Sequence, residues 1–90
     1  MLPLEWGLVT KIVPDDELMK EAEALARKLA KGPILAFGSV KKLLNGTFSE
    51  TLESQMELES RSIVGITRTS DGKEGVTAFT ERRRPDFTGL

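Results

Sequence analysis

The chain has 90 residues, with 13 Lys or Arg against 14 Asp or Glu for a formal charge of −1, and no Cys or His. That inventory excludes disulfides, zinc sites of the usual Cys/His kind, and any Cys or His nucleophile or base, so no metal site is expected. The balance of charge offers no bulk attraction to nucleic acid or to an anionic membrane.

A chain this short buries only about 60% of the surface its unfolded form exposes, so stability must come from apolar packing, capping or a partner surface. No apolar run approaches the ~20 residues needed to span a bilayer. Met1-Leu2-Pro3-Leu4 is too short, and wrongly flanked, for a signal peptide. The expectation is a soluble, cytoplasmic protein, in keeping with a cysteine-free composition.

In chain order, the β-branched run Gly7-Leu8-Val9-Thr10-Lys11-Ile12-Val13 ends at Pro14 and predicts one short strand. Nothing else reads as a strand, so this one needs a partner from elsewhere. Leu18, Ala22, Leu25, Ala26 and Leu29 then recur at spacings of three and four, one apolar helix stripe. Asp15 or Asp16 is expected to cap it, and Gly32-Pro33 to stop it. Pro33 opens a second helix through Phe37, Val40, Leu43 and Leu44, ending at Asn45-Gly46. Gly38 and Ser39 in its middle would let a neighbouring backbone approach closely. A third helix opens on the capping box Thr47-x-x-Glu50 and carries Leu52, Met56, Ile63 and Ile66 on one face. A fourth, capped by Ser70 or Asp71 with Asp71-x-x-Glu74 as a second box, carries Val76, Ala78 and Phe79. It ends before Pro85, because the residue preceding a proline disfavours helical angles. In the tail, Phe87 is free to pack back.

Carboxylates are the only acid/base candidates. Glu50, Glu53 and Glu57 read as a solvated helix surface. Glu59 falls on an otherwise apolar face, where burial would raise its pKa, but a structural ion pair or hydrogen bond is the favoured reading. No residue is assigned a catalytic role. Arg82-Arg83-Arg84 at a helix C-terminus suits the macrodipole and equally suits a phosphate or carboxylate ligand. Phe79, three residues before Arg82, would share its face and give a stacking surface for a nucleobase bearing phosphate, or serve as a core anchor.

Four strings in order resemble the C-terminal part of enoyl-CoA hydratase/isomerase (crotonase) enzymes. They are Trp6-Gly7-Leu8-Val9 running to Val13-Pro14, Leu29-Ala30-Lys31-Gly32-Pro33, Lys41-Lys42-Leu43-Leu44-Asn45, and Asp71 through Gly89 with its "EGVTAFTERRRPDFTG" core. The resemblance implies an N-terminal spiral core that binds the acyl-CoA, with an oxyanion hole of two amides stabilising a thioester enolate. Those amides and the family's proton-moving carboxylates lie upstream of the matched strings. It also implies a helical C-terminal domain that drives homo-oligomerisation, as a trimer or hexamer. By position, Phe79 and Arg82 become the residues near the adenine and phosphates of acyl-CoA bound by a neighbouring subunit, with Arg82 standing where Lys is usual.

The expected architecture is therefore mainly α: an orthogonal cluster of about four helices after one short strand. Residues 1–14 would link to the spiral core, and 15–90 would form the C-terminal helical domain of a crotonase-like fold. No covalently bound cofactor is expected; a coenzyme A thioester would be the substrate of the whole enzyme, by hydration or double-bond isomerisation. The competing reading is a free-standing helical protein-interaction module without a CoA role. Nucleic-acid binding through Arg82–Arg84 is disfavoured by overall charge.

Overall fold

The computed structural model describes residues 2–90. Met1, the first residue of the expected segment 1–14, lies outside them. The described residues form five α-helices and no strand: α1 (Leu2–Glu5), α2 (Leu18–Ala30), α3 (Ile34–Gly46), α4 (Leu52–Thr67) and α5 (Ser70–Glu81). Short 3₁₀ turns at Asp15–Glu17 and Thr47–Ser49 precede α2 and α4.

The expected strand at residues 7–13 is not formed. A strand exists only as half of a ladder, and no second extended segment lies beside this one. The chain instead makes a single helical turn, passes Gly7 at φ 77°, and folds the Leu8 and Val9 amides back onto the Pro3 carbonyl at 2.8 and 3.3 Å. From there to Pro14 the backbone is irregular. An exposed ion pair, Lys11 Nζ to Glu21 Oε2 at 2.6 Å, ties it to α2.

The helices begin where local hydrogen bonding decides. Neither Asp15 nor Asp16 caps α2; both lie in the 3₁₀ turn, and the residue at the cap, Glu17, makes no side-chain cap bond. Thr47 does not open α4. Its hydroxyl donates back to the Leu43 carbonyl at 2.9 Å, which extends the preceding helix into the 3₁₀ turn. Glu50 and Thr51 are extended, and Thr51 is the cap: its Oγ1 accepts from the Ser54 amide while Ser54 Oγ accepts from the Thr51 amide. A capping box is present, four residues later than expected and with Ser in place of Glu. At α5 the cap is Thr69 rather than Ser70 or Asp71; its Oγ1 accepts from the Gly72 amide at 2.9 Å and donates to the Ile66 carbonyl at 2.6 Å.

Packing runs α3 on α4 and α4 on α5, whereas the main neighbour of α2 is the 3₁₀ turn leading into it. At the α3–α4 contact, the Ser39 and Ser62 hydroxyls hydrogen-bond each other. Gly38 is not the point of close approach: a Cβ there would meet nothing within 4 Å. Close approach occurs instead at Gly72, where a Cβ would stand 2.1 Å from the Ile66 carbonyl oxygen.

The apolar stripes read from the sequence are real, but largely bare. Leu18, Leu25 and Leu29 on α2 are each more than half exposed, as are Val40, Leu44, Leu52, Met56 and Ile63, and Phe48 is 100% exposed. Among the described residues only Ala78 and Asp71 are buried. The radius of gyration is 16.9 Å, against about 12 Å for a compact chain of this length. Soluble monomers rarely leave apolar surface bare on this scale. No helix among the described residues is long and apolar enough to cross a membrane.

Candidate functional site

A hydrogen-bonded polar cluster surrounds α5 and the tail that follows it. The buried and half-buried residues of α5 are Asp71, Gly72, Glu74, Gly75 and Ala78, of which Asp71, Glu74, Gly75 and Ala78 are spaced as one helix stripe. The apolar residues that the sequence places on this helix are Val76, Ala78 and Phe79. Val76 and Phe79 are in fact 62% and 84% exposed, because the tail competes for the other side. Residues 85–90 run back along the Asp71–Ala78 stripe, and the Phe87 ring comes to 3.6 Å from where a Gly75 Cβ would stand.

Two carboxylates hold this strap. Asp71 Oδ1 accepts from the Thr88 amide at 2.7 Å and from its hydroxyl at 3.3 Å, and Oδ2 accepts from the Gly89 amide at 2.8 Å. The Asp71 amide in turn donates to the Leu90 carbonyl at 2.9 Å. Glu74 accepts from Arg83 Nη2 at 2.6 Å and Nη1 at 3.1 Å, and from the Asp86 amide at 3.1 Å. The residues of the expected Asp71-x-x-Glu74 capping box thus share a face as their spacing requires, but they bind the chain 9 to 18 residues onward.

The Arg83 hydrogen bonds, then the Asp86 amide, then the charge of Arg83 hold the Glu74 carboxyl at about 2, below its ordinary 4.5. Arg83 is correspondingly raised, first by Glu74 and then by Glu81. A depressed carboxylate pKa stabilises the fold above the unfolded-state value, and that contribution disappears as pH falls through the folded-state value. Amide protection at Asp86 should therefore hold at neutral pH and be lost between about pH 4.5 and 2. Hydrogen exchange read across that window checks it; flat protection would disprove the assignment.

The three arginines are not equivalent. Arg83 is committed to Glu74 and, through Nε at 2.6 Å, to Glu81. Arg82 leaves the helix in the left-handed region, φ 55° and ψ 41°. Its amide bonds the Phe79 carbonyl at 3.2 Å, and the Arg83 amide bonds the Ala78 carbonyl at 3.0 Å, which together make a Schellman turn. Glycine normally fills that position; for a side chain such as Arg it costs about 1–2 kcal/mol. Phe79 and Arg82 are thus brought to the same helix end, both exposed, but Arg82 sits on the turn rather than on the continued helix face. Phe79 is not a core anchor of this chain.

Glu59 is exposed, and neither burial nor an ion pair engages it among the described residues. Glu57 pairs with Arg61 at 2.8 Å, an ordinary surface pair. No group of His, Cys, Asp and Glu that could hold a metal ion is found among the described residues.

The described residues form a series of helices whose last one is clasped by the tail that follows it. A family model described as Enoyl-CoA hydratase/isomerase matches residues 3–90, and the chain belongs to that family. It is 39% identical over 85 residues to 1,2-epoxyphenylacetyl-CoA isomerase of Escherichia coli, a match covering 94% of this chain and 32% of the relative. It is 41% identical over 83 residues to a probable enoyl-CoA hydratase of Rhodobacter capsulatus, covering 92% and 32%. Among solved structures, an enoyl-CoA hydratase subunit from Geobacillus kaustophilus superposes with a TM-score of 0.89 at 32% identity, covering 98% of this chain and 34% of that one. The chain spans about a third of the length of the relatives it matches.

Proposed function

We propose that residues 15–90 act as the C-terminal oligomerisation and coenzyme A rim domain of an enzyme that processes acyl-CoA thioesters through an enolate. Residues 1–14 would lead in from the spiral core that supplies the oxyanion hole and the proton-moving carboxylates. The observation that carries this reading is the set of bare apolar stripes on α2, α3 and α4. Helices patterned to bury a face, yet left open, fit a role of covering another body. Phe79 and Arg82, exposed at the end of α5, then supply a stacking ring and a guanidinium to the nucleotide end of acyl-CoA held by a neighbouring subunit. Hydration or double-bond isomerisation of an enoyl-CoA is the parent chemistry this implies, with the catalytic groups outside this chain.

Replacing the matched segment of the Escherichia coli 1,2-epoxyphenylacetyl-CoA isomerase by this chain tests the proposal. The chimera is expected to form a soluble closed oligomer and to retain CoA binding. The 90-residue chain alone should self-associate in sedimentation and show no turnover of a short enoyl-CoA. A clean monomer at high concentration, or dose-dependent turnover by the chain alone, would rule the reading out.

A further inference from the structure

Arg82 occupies a backbone region that an L side chain enters at a cost, so its surroundings must over-determine it. Helix α5 closes the turn with two backbone bonds, from the Arg82 and Arg83 amides to the Phe79 and Ala78 carbonyls, but brings no glycine to it. What encloses the turn is Glu74. This one carboxylate takes a two-pronged hydrogen bond from Arg83, the residue immediately after Arg82, and at the same time accepts from the Asp86 amide. It therefore fixes the chain on the far side of the turn at two points. Glu81, the residue immediately before Arg82, takes the Arg83 Nε from the other side. Arg83 is consumed by these bonds, whereas Arg82 has no ion pair among the described residues and its side chain is exposed.

From this geometry we infer that Glu74 is a positioning residue: through Arg83 and the Asp86 amide it holds Arg82 in its left-handed turn and leaves that guanidinium free for an anionic ligand. The inference rests on the rim reading above for the ligand, a phosphate-bearing nucleotide, but not for the hold itself. The division of labour within Arg82-Arg83-Arg84 follows. The middle arginine sets the turn and the first presents charge. A macrodipole role, which needs only three cations near a helix end, would make the three interchangeable.

The test has two readouts. One is the strong intraresidue amide-to-Hα NOE that a positive φ gives at Arg82, read on the full chain. The other is the affinity for coenzyme A of the chimera described above, with adenosine as the control that lacks phosphate. Glu74→Ala should abolish the Arg82 signature and weaken coenzyme A binding by about tenfold, the effect of losing one well-placed charged contact. Glu74→Gln, which still accepts from the Asp86 amide, should fall between wild type and Glu74→Ala. Arg83→Met removes the same hold from the other partner and serves if Glu74→Ala does not fold; unchanged α3 and α4 chemical shifts certify the rest of the structure. If Arg82 keeps its positive φ in Glu74→Ala and Arg83→Met, or lacks it in the wild type, the inference is overturned. If the signature depends on Glu74 but the chimera with the wild-type segment does not bind coenzyme A, the hold on Arg82 stands and the rim reading fails.

Discussion

Gly72→Ala should unseat α5 from α4 and cost about 3 kcal/mol, the upper range for forcing atoms into an occupied space. A Cβ at this position would lie 2.1 Å from the Ile66 carbonyl oxygen and 3.0 Å from both the Ile66 carbonyl carbon and the Thr67 Cα. All three are backbone atoms, so no rotamer change relieves the clash. The same corner is tied by Thr69, whose hydroxyl bridges the Ile66 carbonyl and the Gly72 amide. Moving α5 outward would break that bridge as well. Alanine normally favours a helix over glycine by up to about 1 kcal/mol, so propensity alone predicts the opposite sign. Thermal unfolding followed by circular dichroism separates the two: a midpoint lowered by on the order of 10–20 °C is expected for a domain of this size, and a raised midpoint would show that the corner has slack.

The helical body was legible because its signals are local. The spacing from Leu18 to Leu29 and the Gly32-Pro33 break define α2 and the start of α3 to within a residue or two. At α4 the expected cap is not the one formed. Thr47 with Glu50 matches the sequence pattern of a box, but Glu50 is extended at φ −106° and ψ 154°, which breaks any helix begun at Thr47, and Thr51 with Ser54 caps instead. The β-branched run at 7–13 carried a true propensity but lacked the other half of a ladder. Strand formation is a property of pairs, so propensity in one segment could not decide it.

Around Phe79 and Arg82 the sequence shows residue types and spacing, and the structure shows a geometry that the spacing does not. Phe79 and Arg82 lie three apart, and that spacing gives a shared face only while the helix lasts; it ends at Glu81, one residue too soon. Arginine at the left-handed position of a Schellman turn leaves no sequence signal, since glycine is what marks such turns. Asp71 and Glu74 were visible as a pair on one face, but a cap three residues away and a clasp on a tail 12 to 18 residues away use the same spacing. Only the tail's own composition hinted at the second: Phe87 followed by Thr88-Gly89 is a small, flexible end with one apolar anchor.

Asp71→Ala is expected to release that tail and to destabilise the α5 unit by about 3 kcal/mol, given three hydrogen bonds to a charged acceptor. The carboxylate is 3% exposed, so water cannot readily replace it at the Thr88 and Gly89 amides. Leaving those donors without an acceptor costs more than the bonds contributed while intact. Asp71→Asn keeps the shape but turns one oxygen into a donor. Since Oδ1 faces Thr88 and Oδ2 faces the Gly89 amide, one of the two contacts must become donor against donor. Asn should therefore be intermediate, and closer to Ala than to Asp. Amide exchange at residues 86–89 distinguishes this clasp from a general loss of packing: protection there should vanish in Asp71→Ala and fall in Asp71→Asn while α3 and α4 retain theirs. Equal loss at residues 86–89, in α3 and in α4 would mean that Asp71 holds the corner of α4 and α5 rather than the strap alone.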